Sequence, residues 1–212
     1  IAALLPGYES VYYAPATGSA YPDATIFYRS ERFALVDHGS YWLSPTPDVP
    51  LSIGFVRAQL PRLVYWARLR DLAAGGREIF FATTHFDNNR PSQDLSAPLL
   101  QERTAPFVAD HPVIVVGDFN SRPPSTAYAT LTTDASRGFV FTNAFDLTDW
   151  RLVTNQEPAP AYDLDDRIDH IFLAGDDVAW EVDDWVVDLT VYGALDRYPS
   201  DHFPVVATVR YD

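Results

Sequence analysis

Short runs of β-branched and aromatic residues recur along the whole chain, each bounded by Gly, Pro, Asp or Asn. Runs of this kind predict strands. They fall at residues 25–28, 33–36, 63–70, 78–84, 113–117, 168–173, 180–187 and 205–209. Two stretches have a helical pattern instead. Residues 92–109 carry Leu95, Leu99, Leu100 and Phe107, interrupted by Pro98 and Pro106. Residues 125–131 follow Pro123-Pro124, a helix-start signal. Residues 44–52 hold three prolines and read as a loop, as does the Pro-rich, acidic stretch 154–166. Residues 1–5 read as the end of a helix stopped by Pro6-Gly7. Many strands with few helices point to an α/β sandwich with largely antiparallel sheets, not to βαβ repeats. No repeat, low-complexity tract or domain boundary is visible, so residues 1–212 are expected to form a single domain with a sizeable core.

Composition narrows the functional classes. The formal net charge is −14 and all 15 basic side chains are Arg. An acidic chain without a basic stripe is poorly suited to holding long duplex DNA through its phosphates. No run of about 18 apolar residues is present, so no membrane-spanning helix is expected. Without Cys there is neither a disulfide nor thiol chemistry, and the compartment stays open between cytoplasmic and secreted. The opening stretch, IAALLPGYES, has no basic leader of the signal-peptide kind. Met is absent even at position 1, so the chain reads as one from which an upstream stretch has been removed.

Four segments place polar groups at the ends of apolar strands. One run ends in Thr84-His85-Phe86-Asp87-Asn88. A second ends in Gly117-Asp118-Phe119-Asn120. The third is Arg167-Ile168-Asp169-His170-Ile171-Phe172. The fourth is Ser200-Asp201-His202-Phe203-Pro204-Val205. Each alone has a plainer reading. Gly-Asp and Asn end strands in turns, Asp201-His202 could be a surface turn, Asp169 could pair with Arg167, and His85 could be a satisfied strand-end histidine. Asp87 and Asn88 read as loop caps. Together, two His, three Asp and one Asn make a hard-cation, anion-handling set that suits Mg²⁺ or Mn²⁺ with a phosphate better than Zn²⁺. His38, His111 and His170 match nothing catalytic, and His170 should point away from Asp169 and pack.

The series T-H-x-D, G-D-F-N, R-I-D-x-I-F and S-D-H-x-P-V, in this order, resembles the motif series of the endonuclease/exonuclease/phosphatase family. Tyr41-Trp42-Leu43-Ser44, Pro61-Arg62 and Trp66-Ala67-Arg68-Leu69 are similar to a bacterial branch of that family. The resemblance implies a deoxyribonuclease I-like four-layer sandwich. Two mixed, mostly antiparallel sheets would pack face to face with helices outside, less the first strands. It implies a divalent-metal-dependent phosphoesterase that hydrolyses a phosphodiester or phosphomonoester by activated water. Asp118 would orient or deprotonate that water, and Asn120 would hold it or a phosphate oxygen. His202 would contact the phosphate with Asp169 as its partner, and His85 would donate to the phosphate or assist the leaving group. Asp118, Asn120, Asp201 and His202 would hold Mg²⁺ or Mn²⁺. Family members also open with an Asn-bearing strand and a Gln-Glu strand whose Glu is the principal metal ligand. Neither is in this chain, and Glu9 and Glu31 do not fit the pattern. A catalytically silent phosphate-binding pseudo-enzyme or interaction module is therefore the alternative. The expected partner is a phosphate ester, a small molecule or short nucleic acid, acted on by a monomer.

Overall fold

A computed structural model describes residues 2–14, 21–154 and 162–212. The element order is β1 (Tyr8–Tyr13), β2 (Tyr21–Arg29), β3 (Phe33–Trp42), β4 (Leu63–Asp71), β5 (Arg77–His85), α1 (Arg90–Val108), β6 (Val113–Asp118), α2 (Thr126–Thr133), β7 (Thr142–Asn143), β8 (Arg151–Thr154), β9 (Asp169–Ala174), β10 (Trp180–Asp188) and β11 (Val205–Tyr211). Six strands form one mixed sheet in the order β3-β4-β5-β6-β9-β7, in which only β5 and β6 pair in parallel. A second layer faces it, made of the mixed sheet β11-β10-β8 and the hairpin β1-β2.

Alternation along the central strands builds the layers. Val64, Phe80, Ala82, Val113, Val115, Phe172 and Ala174 point to one face, where α1 and α2 cover them. Their neighbours point the other way. Leu63, Tyr65, Ala67, Leu69 and Ile79 pack under β1-β2, and Ile114 and Leu173 pack under β10 with Trp185 and Val187. Phe81 touches both of these inner clusters and joins them. Asp71, at the end of β4, accepts hydrogen bonds from Arg32 (3.0 Å) and from Tyr211 at the end of β11 (2.7 Å), which ties the two layers at their rim.

Each predicted strand lies in an observed one, with differences that have local causes. β3 runs to Trp42, well past the predicted 33–36, through the polar stretch Asp37-His38-Gly39-Ser40. It is an edge strand with a bulge between Leu35 and Asp37, where half-exposed polar positions are tolerated. β1 has one buried side chain, Val11, and so shows no apolar signal; Glu9 lies on this strand and not in a loop. Helix α1 passes through both Pro98 and Pro106. Its buried face is Ser92, Gln93, Ser96, Ala97, Leu100, Gln101, Thr104 and Val108, with Leu99 and Phe107 packed at its margin, whereas Leu95 is exposed. Ala2–Leu4 forms a 3-10 turn; Ile1 and residues 155–161 of the predicted 154–166 loop lie outside the described residues. No helix among the described residues is long and apolar enough to cross a membrane.

Candidate active site

Register, not sequence proximity, assembles the site. In the central sheet His85 of β5 pairs with Asp118 of β6, and Asp118 pairs with Asp169 of β9. Three adjacent strands therefore present His85, Asp118 and Asp169 in one row at a common level, at neighbouring-strand spacings of about 4.8 Å. All three have the parity of the inner residues Phe81, Ile114 and Ile171, so they face the space between the layers. The intervening residues point the opposite way and anchor the row. Phe86 and Phe119 are fully buried with ring centroids 5.0 Å apart, and Phe119 stacks edge-on against Phe172 at 4.9 Å.

Two backbone features of the Gly-Asp-Phe-Asn segment follow from its packing. A Cβ on Gly117 would lie 1.9 Å from the Thr84 carbonyl oxygen, and its φ is +147°, so this position takes no side chain. Asn120 turns the chain at φ +48°, a conformation Asn adopts more readily than most residues. The turn folds Asn120 back over Asp118. Its N–H donates to Asp118 Oδ1 at 2.7 Å, and its amide donates to the Phe86 carbonyl at 3.0 Å and to Asp118 Oδ2 at 3.2 Å.

His202 reaches the row from the loop before β11. Its Nδ1 lies 2.8 Å from Asp169 Oδ2 and its Nε2 lies 3.6 Å from Asp118 Oδ2. His85 Nε2 approaches the same Asp118 oxygen at 3.2 Å. The result is a chain of groups running Asp23, His85, Asp118, His202, Asp169. His85, Asp118, His202 and Asp169, with Arg62, Asn88, Asn120, Ser200 and Asp201, line an open cleft of about 450 Å³. An apolar trough of about 470 Å³ adjoins it, running beneath β11 over Phe81, Ile114 and Val116.

The electrostatics divide the site into acids and bases. Burial pulls the His85 pKa down, but hydrogen bonds to Asp118 and Asp23 outweigh it and raise it to about 9, so the ring is cationic at neutral pH. Burial pulls His202 down as well, and its bond to Asp169 outweighs that and raises it. Asp118 would rise on burial, yet His85, the Asn120 N–H and His202 hold it below the ordinary carboxylate range. Asp169 stays above that range, because burial outweighs the His202 bond. One ligand atom each from Asp118, Asp169 and His202 lies within 4.8 Å of the others, the group among the described residues that could hold a metal ion.

The structure thus brings together His85, Asp118, Asn120, Asp169 and His202, with Asp201 on the cleft wall but outside the three-residue group. His170 points away as expected, 2% exposed. Its Nε2–H donates to the Ser121 carbonyl at 2.8 Å, and its Nδ1 accepts from Asn143 at 3.0 Å. Burial pushes its pKa down to about 4, so it is neutral. Asp87 and Asn89 cap α1. Two site residues escaped the sequence reading. Asp23 Oδ1 lies 2.9 Å from His85 Nδ1, and Arg62 Nη1 lies 2.9 Å from the same atom and 3.5 Å from Asp23 Oδ2. Arg62 sat in a recognisable Pro-Arg segment before a strand, whereas Asp23 carried no local signal.

Residues 31–202 match the model of the Endonuclease/Exonuclease/phosphatase family. No curated protein sequence gives a significant match. Among solved structures, a mannosyl-6-phosphatase from Bacteroides thetaiotaomicron is 30% identical, with 97% of this chain and 78% of that one covered at a TM-score of 0.81. An endonuclease/exonuclease/phosphatase from Bacteroides vulgatus is 27% identical, with coverage of 99% and 78% and a TM-score of 0.81. The human Nocturnin catalytic domain shares the fold at 18% identity, with coverage of 97% and 73% and a TM-score of 0.66. The two mixed sheets of this chain are those of the deoxyribonuclease I-like fold, and the chain belongs to the endonuclease/exonuclease/phosphatase family.

Proposed function

We propose that the protein hydrolyses a phosphate ester by direct attack of water, with catalysis centred on Asp118. The observation that carries this reading is the row of His85, Asp118 and Asp169 across three strand ends, completed by His202. Asp118 is held ionised and Asn120 is folded over it, an arrangement that holds and aims a water molecule. The protonated imidazole of His85, the imidazole of His202 and the Arg62 guanidinium face the phosphoryl oxygens, where negative charge grows as the new P–O bond forms and the ester bond breaks. Asp169 fixes the His202 ring through Nδ1 and leaves Nε2 facing the cleft.

The donor set also fits a hard divalent cation. Asp118, Asp169 and His202 would hold it, with Asn120 and Asp201 on the same cleft wall. Mg²⁺ or Mn²⁺ bound there would offset charge on the phosphoryl and leaving oxygens. A binding-only module would not need a carboxylate held ionised under a folded-back amide. The net charge of −14 favours small phosphate esters or short nucleic acid over long duplex DNA. The test is hydrolysis by the full chain with Mg²⁺ or Mn²⁺, read as phosphate release from sugar and alkyl phosphates and as release of the aryl alcohol from bis-aryl phosphates. Turnover of none of them would refute the hydrolase reading.

A further inference from the structure

A second cavity of about 440 Å³ opens beside the cleft, with Arg62 and Asn88 on the walls of both. The two spaces therefore adjoin. A phosphoryl group centred on Asp118 would have its leaving group beside this second space. The inference rests on the hydrolase reading for that position.

The cavity is built, not incidental. One wall is the loop between β3 and β4. Its base is closed by the Leu43 N–H donating to the Arg62 carbonyl at 2.7 Å, and its middle by Ser44 and Ser52, whose hydroxyls meet at 2.6 Å. Gly54 seats the loop against β3, since a Cβ there would lie 2.3 Å from the Leu43 carbonyl oxygen. Arg57 is then held at φ +69°, a conformation a long side chain adopts only when the surroundings fix it. The other wall is the segment that enters α1. Asp87 is buried and its carboxylate is consumed by the Asn89 backbone and side-chain N–H groups, while its carbonyl accepts from Gln93. Asn88 is thereby presented between two pinned neighbours.

The groups left over define what the cavity can recognise. Arg57, Gln59 and Asn88 line it, and among the described residues their side chains have no hydrogen-bond or ion-pair partner. Two amides offer donors and acceptors together and one guanidinium adds donors, with Leu60 as an apolar surface between them. A second phosphate or carboxylate would meet the Asp87 carboxylate on the same wall as a repulsive neighbour. A nucleobase would want an aromatic platform, and no aromatic side chain lines this cavity. Hydroxyl groups, which both donate and accept, match the set. We infer that this cavity is a leaving-group subsite for a polyhydroxylated moiety, a sugar or similar polyol, read by Arg57, Gln59 and Asn88.

The test is calorimetric titration of the full chain with two probes that have no ester bond to cleave, the 6-phosphonate analogue of glucose and methylphosphonate. The wild type should bind the sugar phosphonate at least about ten-fold more tightly, the scale of one or two good hydrogen bonds. Arg57→Ala/Gln59→Ala should lose most of that preference. Gln59→Ala alone, which leaves the Arg57 backbone untouched, should lose part of it. No preference in the wild type, or full retention in the double variant, would overturn the subsite. Phosphate release from glucose 6-phosphate, measured separately, reports on the hydrolase reading. No turnover across the whole panel with the binding preference intact would sink the hydrolase reading and leave a polyol-binding cavity with no leaving group to hold.

Discussion

Phe119 is the residue on which the two halves of the Asp118–Asn120 pair are mounted, and its removal gives a quantitative test. Its ring is fully buried, packed on Phe86 at 5.0 Å, on Phe172 at 4.9 Å and on His170 at 5.8 Å. The neighbours come from two separate segments, the end of β5 and strand β9, so the lost contacts cannot be remade by one local shift. Phe→Ala at a buried site costs about 3–5 kcal/mol. For a chain of this length each kcal/mol moves Tm by about 2–4 °C. Phe119→Ala should therefore melt roughly 6–20 °C below the wild type in a reversible thermal scan followed by circular dichroism. Phe119→Leu, which keeps much of the volume, should recover about half of that loss or more. The variant should also lose phosphate-ester turnover at temperatures where it is still folded, because Asp118 and Asn120 are no longer held in register. A fall in Tm of less than about 3 °C would mean that the ring does not anchor the site, and the packing argument would fail.

Three further outcomes can be checked. His202→Ala should lower kcat/KM by about a hundred-fold or more, since it removes a donor to the phosphoryl oxygens, while Asp169→Asn should cost only about ten- to hundred-fold, the scale of one charge-assisted hydrogen bond. The reverse order would make Asp169 itself a base or an essential ligand. His170 is neutral in the fold with a pKa depressed to about 4, against about 6.5 unfolded. Its stabilising contribution is therefore full above pH 6.5 and is lost as pH falls towards 4, by about 3 kcal/mol in all. Urea unfolding across that range should show the wild type losing more stability than His170→Gln, and a gap that does not change with pH would contradict the burial argument. Gly117→Ala should push β6 away from β5, lowering both Tm and turnover, since its Cβ would sit 1.9 Å from the Thr84 oxygen; wild-type melting would show that the close approach is not required.

What was legible in the sequence was the part written in local alternation. The apolar runs before His85 and Asp118 and after Asp169 each specify a central strand, and the polar groups at their ends stand out against the apolar residues that precede or follow them, as Asp118 does after Val113-Ile114-Val115-Val116. The ordering of four motifs then pointed to one family. What was not legible depends on contacts between distant segments. Asp23 meets His85 across 62 residues, and Arg62 joins them because β4 begins beside the end of β5. The common level of His85, Asp118 and Asp169 is a matter of register, which alternation alone leaves free. Helix α1 was legible in extent, and Leu99, Leu100 and Phe107 do face the core, but its apolar pattern hides how much of the buried face is small or hydrogen-bonding, with Gln101 donating to the carbonyls of Thr130 and Asp134.

The most direct test of the account is phosphate release from glucose 6-phosphate, measured with Mg²⁺ or Mn²⁺ for the full chain and for Asp118→Ala side by side. The account predicts turnover by the wild type and a fall of at least about a hundred-fold in the variant, because one carboxylate both holds the water and anchors the two imidazoles. Turnover that survives the loss of Asp118 would contradict it.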